Sequence, residues 1–215
     1  MTIKHHPDIA SLMSCAAGSQ PEAMAAVVAS HLALCPACAR QVGKLERIGE
    51  ALFDKIEPSK LDRAAPVAAA RALEADDRAA AAAPATSSEM PLPLIALAGS
   101  DLDAVAWKRL GPGLWHYPLP LSKNAKGDLR LIKVAPGWAL PDHGHGGEEM
   151  TLVLRGSYSD VTGHYGAGDV ADLDGDVEHA PVTCPKEGCI CLIASEKPAR
   201  FKSLLARIMQ PLAGL

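Results

Sequence analysis

The chain has 215 residues, a formal net charge of −4 and 48% hydrophobic residues, but only 4% aromatics, so much of its apolar content is alanine. Basic and acidic side chains number six and six in residues 1–60, three and five in 61–90, and twelve and fourteen beyond. No basic face or tail results, which argues against direct nucleic-acid binding. No apolar run is long enough to span a bilayer and no signal-peptide core is visible, so a cytoplasmic, soluble protein is expected.

The uneven composition favours two small domains over one large one. Cys15, Cys35, Cys38, Cys184, Cys189 and Cys191 could suggest a disulfide framework in a short secreted chain. In a chain of this length without a signal, thiolate metal ligands and free thiols fit better.

Residues 1–60 read as three helices. Pro7 suits an early helical position, Leu12 and Met13 are expected to point inward, and Gly18 closes the first helix. Ser19-x-x-Glu22 is a capping-box pattern opening the second. Met24, Val27, Val28, His31 and Leu32 recur there at helical spacing, which places His31 on the buried face. Pro36 opens a third helix with Cys35 near its N-cap, and Val42, Leu45, Leu52, Phe53 and Ile56 form its apolar stripe. Three short helices hold little core, so a metal staple is physically reasonable.

Residues 61–83 are alanine-rich with few large apolar groups, which predicts a tether or a helix completed by a partner. Pro84 to Pro93 forms the domain boundary. Beyond it the pattern changes to short alternating runs, with strands expected at Leu114–Leu119, Leu129–Val134, Met150–Leu154, Val170–Leu173 and Cys189–Ala194. Many short strands in one domain predict a small β-barrel or jelly roll. Phe201, Leu204, Leu205, Ile208 and Met209 fall at helical spacing, a terminal helix docked on the barrel. The expected division is 1–85, a linker 86–93, a barrel domain 94–195 and a final helix 196–215.

Two clusters carry chemistry. His31-x3-Cys35-x2-Cys38 joins the end of one helix to the start of the next, whose positive end favours thiolates. Zinc takes N and S ligands tetrahedrally and needs a fourth. His6, just before Pro7, is the best candidate, with His5 and Cys15 as alternatives. A redox dithiol at Cys35 and Cys38 lacks its βαβ context, and an inert buried pair is the third reading. The second cluster is Gly137-x5-His143-x-His145-x3-Glu149-x6-Gly156, in which His143 and His145 share one side of a strand and Gly146-Gly147 lets the chain bring Glu149 alongside. His179, after Gly168-Asp169, is the expected fourth ligand. Such a set suits zinc, iron, manganese or nickel. Cys189 and Cys191 face one side of a strand, read either as redox thiols near the metal or as small packing residues.

The His6-Pro7 pair, the Ala16-Ala17-Gly18 turn and the His-x3-Cys-x2-Cys run resemble the zinc-binding anti-sigma domain over roughly the first ninety residues. The second cluster resembles the first cupin motif at every spacing. The second cupin motif departs: Asp174 stands where proline is usual and Thr183 replaces the usual asparagine. Together the halves resemble ChrR-type anti-sigma factors across essentially the whole chain. That resemblance implies an α + β two-domain protein, a zinc-stapled helical bundle with residues 61–83 as a clamping helix, followed by a cupin barrel. It also implies a heterodimer with an extracytoplasmic-function sigma factor, released when the barrel meets an oxidant such as singlet oxygen, with no direct nucleic-acid or membrane partner. The competing reading is an enzyme, a metal-dependent cupin dioxygenase whose helical part serves assembly.

Overall fold

The computed structural model describes residues 2–59, 89–144, 146–197 and the backbone of 200–201. The expected clamping helix, linker residues 86–88, His145 and residues 202–215 of the expected terminal helix lie outside the described residues; where that helix is expected to begin, Arg200–Phe201 instead form a strand, because their backbone pairs with Gly144 and His143.

Three helices open the chain: α1 (Ile9–Ala16), α2 (Glu22–Leu34) and α3 (Pro36–Phe53). The Asp8 carboxylate caps α1 by accepting from the Ser11 N–H at 2.6 Å, and Gly18, at φ 64°, ends the segment. The capping box at Ser19-x-x-Glu22 does not form. Helix α2 starts at Glu22 with Pro21 as its cap, so Glu22 sits a turn too early to reach back, and its carboxylate instead accepts from the Ser122 N–H of the barrel domain at 2.9 Å. Cys35 ends α2 and caps α3, and the two helices are bent by 118° about it. No single helix among the described residues is long and apolar enough to cross a membrane.

Helix α2 is apolar almost all round because it is covered on several sides. It packs on α1 and α3, on α4 (Leu92–Ala98), and on barrel strands β5 (Glu149–Ser159) and β10 (Cys189–Ser195). Met24, Val27 and Val28 are sealed in one core with Leu94, Met150, Leu152 and Leu192, each burial stabilising by about 1.5–3 kcal/mol. Met90 and Leu94 are fully buried, so the chain is already packed where the expected linker ends. One expectation about the bundle is overturned: Met13, expected inward, is 53% exposed. The far end of the apolar stripe faces outward, Leu52, Phe53 and Ile56 projecting from α3 and the turn after it at 60%, 73% and 64% exposure. Helices this short have an inner face too narrow to cover every apolar position, and only Leu12, Cys38 and Val42 of α1 and α3 are buried.

The remaining strands are β1 (Lys108–Gly111), β2 (Leu114–Pro118), β3 (Asp128–Val134), β4 (His143–Gly144), β6 (His164–Gly166), β7 (Val170–Leu173), β8 (Glu178–His179), β9 (Val182–Thr183) and β11 (Arg200–Phe201). All described pairs are antiparallel, one sheet running β1-β2-β3-β10-β5-β6 with β7 and β9 also on β5, the other β11-β4-β8. The five expected strands are all present, since period-2 alternation survives in each. Ile190, Leu192 and Ala194 face the helices, while Cys189, Cys191 and Val153 join Tyr158 and Tyr165 in the second core inside the barrel. Gly156 makes the bend in β5. At φ 74° it lies where a Cβ would stand 2.1 Å from the Gly188 carbonyl oxygen, so no other residue fits.

The barrel also grips the N-terminal segment. Asp169 accepts from the Lys4 and His5 N–H groups at 2.6 and 3.0 Å, and Asp172 accepts from the Asp8 N–H and Ser11 hydroxyl at 3.0 and 2.8 Å. The Val170 N–H donates to the His5 carbonyl at 3.2 Å.

Two candidate metal centres

The hinge at Cys35 brings the first cluster together. His31 lies one turn before the end of α2, Cys35 caps α3, Cys38 follows in its first turn, and His6 arrives from the extended segment ahead of Pro7. The four ligand atoms lie within 4.8 Å of one another. His6 Nδ1 is 3.4 Å from His31 Nε2, 3.6 Å from Cys35 Sγ and 3.3 Å from Cys38 Sγ, and His31 Nε2 is 3.3 Å from Cys38 Sγ. A tetrahedral zinc ion would separate two nitrogens by about 3.4 Å and a nitrogen from a sulfur by about 3.5 Å. The set therefore fits a single ion, and the fourth donor brought into it is His6, not His5 or Cys15.

The surroundings prepare these donors. His31 Nδ1 donates to the Gly168 carbonyl at 3.0 Å, which leaves its Nε2 lone pair facing the other ligands. Burial lowers the His31 pKa and so favours the neutral imidazole a metal needs. Burial and the hydrogen bond with Cys35 push the Cys38 thiol up to about 11, so an ion must displace a proton to bind.

The second cluster is assembled by strand register. His143 on β4 stands directly opposite His179 on β8, with ring centroids 4.7 Å apart. Glu149 begins β5 and is buried, as are both histidines. His145 lies outside the described residues. His143 Nδ1 donates to the Pro141 carbonyl at 2.8 Å and His179 Nδ1 donates to Asp160 Oδ2 at 2.6 Å. Both acceptors lack a proton, so each ring donates through Nδ1, which turns Nε2, the atom a metal ligand would use, away from that bond. Imidazole nitrogens and a carboxylate are donor types that divalent transition metals accept.

Asp160 escaped the sequence reading, although its Asp-x-Thr-Gly turn was there to be noticed. Burial acts to raise its carboxyl, but hydrogen bonds from Thr162 and His179 outweigh that and hold it below the usual range. The Cys189 and Cys191 sulfurs lie 3.2 Å apart inside the barrel. The bond with Cys189, then burial, raises the Cys191 thiol well above its ordinary value, and the Glu149 charge adds to this. His116 is packed, 3.4 Å from Arg130 Nη1, and His164 is exposed, 2.8 Å from the Ser159 hydroxyl.

Comparison with known proteins then decides the family. Residues 97–198 match the ChrR cupin-like domain. The chain is 38% identical over 211 residues to the anti-sigma-E factor ChrR of Cereibacter sphaeroides, covering 98% of each chain. The chain belongs to the ChrR family. The crystal structure of Rhodobacter sphaeroides SigE in complex with the anti-sigma ChrR superposes with a TM-score of 0.76 at 36% identity, covering 90% of this chain and 99% of that one. The ChrR architecture, helices carrying a His/Cys cluster followed by a cupin barrel, is the α + β arrangement expected from sequence.

Proposed function

We propose that this protein is an anti-sigma factor, a regulatory protein rather than an enzyme, which binds and inhibits an extracytoplasmic-function sigma factor in a cytoplasmic heterodimer. The observation that carries the reading is an apolar surface on the helical bundle that stays exposed among the described residues. Ile48, Leu52, Phe53 and Ile56 are 60–73% exposed along α3 and its end, and Ile9 and Met13 are 54% and 53% exposed on α1, which packs against α3. Five large apolar side chains on two adjoining helices, with Ile56 in the turn after α3, make a surface that calls for a protein partner. The ChrR relative seen in complex with SigE supports a sigma factor as that partner.

In this reading residues 1–85 grip the sigma factor, with 61–83 as the clamping helix, and the barrel of residues 94–195 senses the signal. His6, His31, Cys35 and Cys38 hold zinc, which joins the N-terminal segment, α2 and α3 at one point and so fixes the angle between the helices that carry the exposed residues. His143, His145, Glu149 and His179 hold zinc or another divalent transition metal, with the linker ending before Met90 and the chain after Phe201 docking on the barrel as a helix. The signal is an oxidant such as singlet oxygen, and Cys189 and Cys191 are the candidate redox thiols, since sulfurs 3.2 Å apart need little movement to join. The barrel ligands serve sensing, not turnover of a substrate.

Co-purification of the full chain from its host tests the proposal. A sigma factor recovered in equimolar amount is expected. A metal-loaded, folded protein that returns alone, or that consumes oxygen with a small diketone substrate, would overturn it.

A further inference from the structure

A run of side-chain contacts leads from the barrel centre to His5, whose backbone joins it to His6 of the N-terminal centre. It starts at His179, whose Nδ1 donates to Asp160 Oδ2 at 2.6 Å, both side chains being 4% exposed or less. The other carboxylate oxygen, Oδ1, accepts from the Thr162 hydroxyl at 2.6 Å and from the Thr162 and Gly163 N–H groups at 2.8 and 3.2 Å. Because the Thr162 hydrogen is committed to Asp160, the Tyr165 hydroxyl, 3.0 Å away, donates to Thr162 Oγ1. The Tyr165 ring is buried, stacks on Tyr158 at 5.0 Å and packs against the His5 ring at 4.5 Å. The next residue is His6.

Every group in this run has its hydrogen bonds set by its neighbours. Rotation of the His179 ring takes a donor from Asp160, and the Asp160–Gly163 turn carries the Tyr165 acceptor. A shift of Tyr165 moves the face on which the His5 ring rests, while backbone bonds to Asp169 and Val170 hold the His5 main chain to the barrel beside it. Small movements at one end are therefore felt as altered placement of a ligand at the other.

We propose that Asp160, Thr162 and Tyr165 form a positioning relay through which the state of the barrel metal centre sets the placement of His6, and hence the strength of the N-terminal centre. This rests on the reading that both centres hold metal. It gives the sensing domain a route to the sigma-binding bundle that does not require the domains to separate.

The test uses the full chain loaded with cobalt(II), because the thiolate-to-cobalt charge-transfer band reports only the centre with Cys35 and Cys38. Cobalt affinity at that centre is measured in four proteins: the native chain, Glu149→Ala, Thr162→Val, and the double variant. Glu149→Ala is expected to weaken the N-terminal centre by about fivefold or more in the native background, the lower end of ordinary coupling between sites. In the Thr162→Val background the same change should alter it less than about twofold. An equal effect in both backgrounds, or none in either, overturns the relay. If Thr162→Val does not fold, Tyr165→Phe makes the same comparison, since it removes only the hydroxyl and keeps the stack. Total metal content separates the two claims: one ion per native chain defeats the two-centre reading together with the relay, whereas two ions without coupling defeat the relay alone.

Discussion

Replacing Cys38 with serine removes one of the four donors that tie α3 to α2 and to the N-terminal segment. A structural zinc held by these four donors would contribute on the order of 10 kcal/mol to folding, which rivals the whole stability of an ordinary domain at about 5–15 kcal/mol. The bundle has little else to replace it. Leu12, Cys38 and Val42 are the buried apolar residues that α1 and α3 supply, whereas α2 keeps its contacts with β5, β10 and α4 when the ion is lost. The expected result is therefore partial unfolding: α1 and α3, with 8 and 18 residues, lose their helicity while the 13 residues of α2 stay on the barrel. Circular dichroism should lose most of the bundle's helical signal, and the barrel should melt in a separate, later transition. Chelation of the native protein should reproduce this. A Cys38→Ser protein with native helicity and a single unchanged transition would refute the reasoning, because the ion would then be incidental to the fold.

Three further outcomes follow from the geometry. With the Cys38 thiol held up at about 11, the metal-free site is protonated at neutral pH, so zinc affinity should fall at least tenfold for each unit of acidification between pH 8.5 and 6.5; a pH-independent chelator competition would contradict this. Burial acts to raise the Asp169 carboxyl, yet bonds from the His5, Gly166 and Lys4 N–H groups leave it below its ordinary value, so its grip on the N-terminal segment is complete above about pH 4 and is lost only as the pH falls through the depressed folded value. Asp169→Ala should then cost about 2–4 kcal/mol at neutral pH in denaturant unfolding and speed amide exchange at Lys4 and His5, whereas unchanged exchange would show that the clasp is unimportant. Gly156→Ala, which sets a methyl group against the Gly188 carbonyl at a positive φ, should destabilise the barrel by more than about 3 kcal/mol, and a loss under 1 kcal/mol would mean that the bend in β5 is not required.

Much of the architecture could be read from the chain because the signals were local. The His31, Cys35 and Cys38 spacing spans a single helix–turn–helix, and Pro7 pointed to His6 because it marks where the extended segment meets α1. The five strands kept their alternation even where both faces are buried. Longer-range features were hidden. Nothing in residues 160–165 announces that Asp160 will meet His179 or that Tyr165 will meet His5, since both contacts depend on strand register across the barrel. Glu22 was read as half of a capping box because the pattern was right, but Pro21 moved the helix start and released the carboxylate to the barrel. The apolar stripe of α3 is the most telling case. Its periodicity marks Leu52 and Phe53 as helical and runs one turn too far in adding Ile56, which lies past the end of α3, and periodicity cannot say whether the cover is the chain's own core or another molecule.

That uncovered stripe is also where the account is most exposed to a direct measurement. Isothermal titration of the full, metal-loaded chain with the sigma factor of its own host should give a one-to-one complex of nanomolar affinity, weakened at least a hundredfold by Leu52→Glu with Phe53→Glu, about 2.7 kcal/mol. Equal affinity in the doubly charged variant, or no complex from folded protein with its N-terminal metal in place, would contradict the claim that the stapled bundle exists to hold a sigma factor.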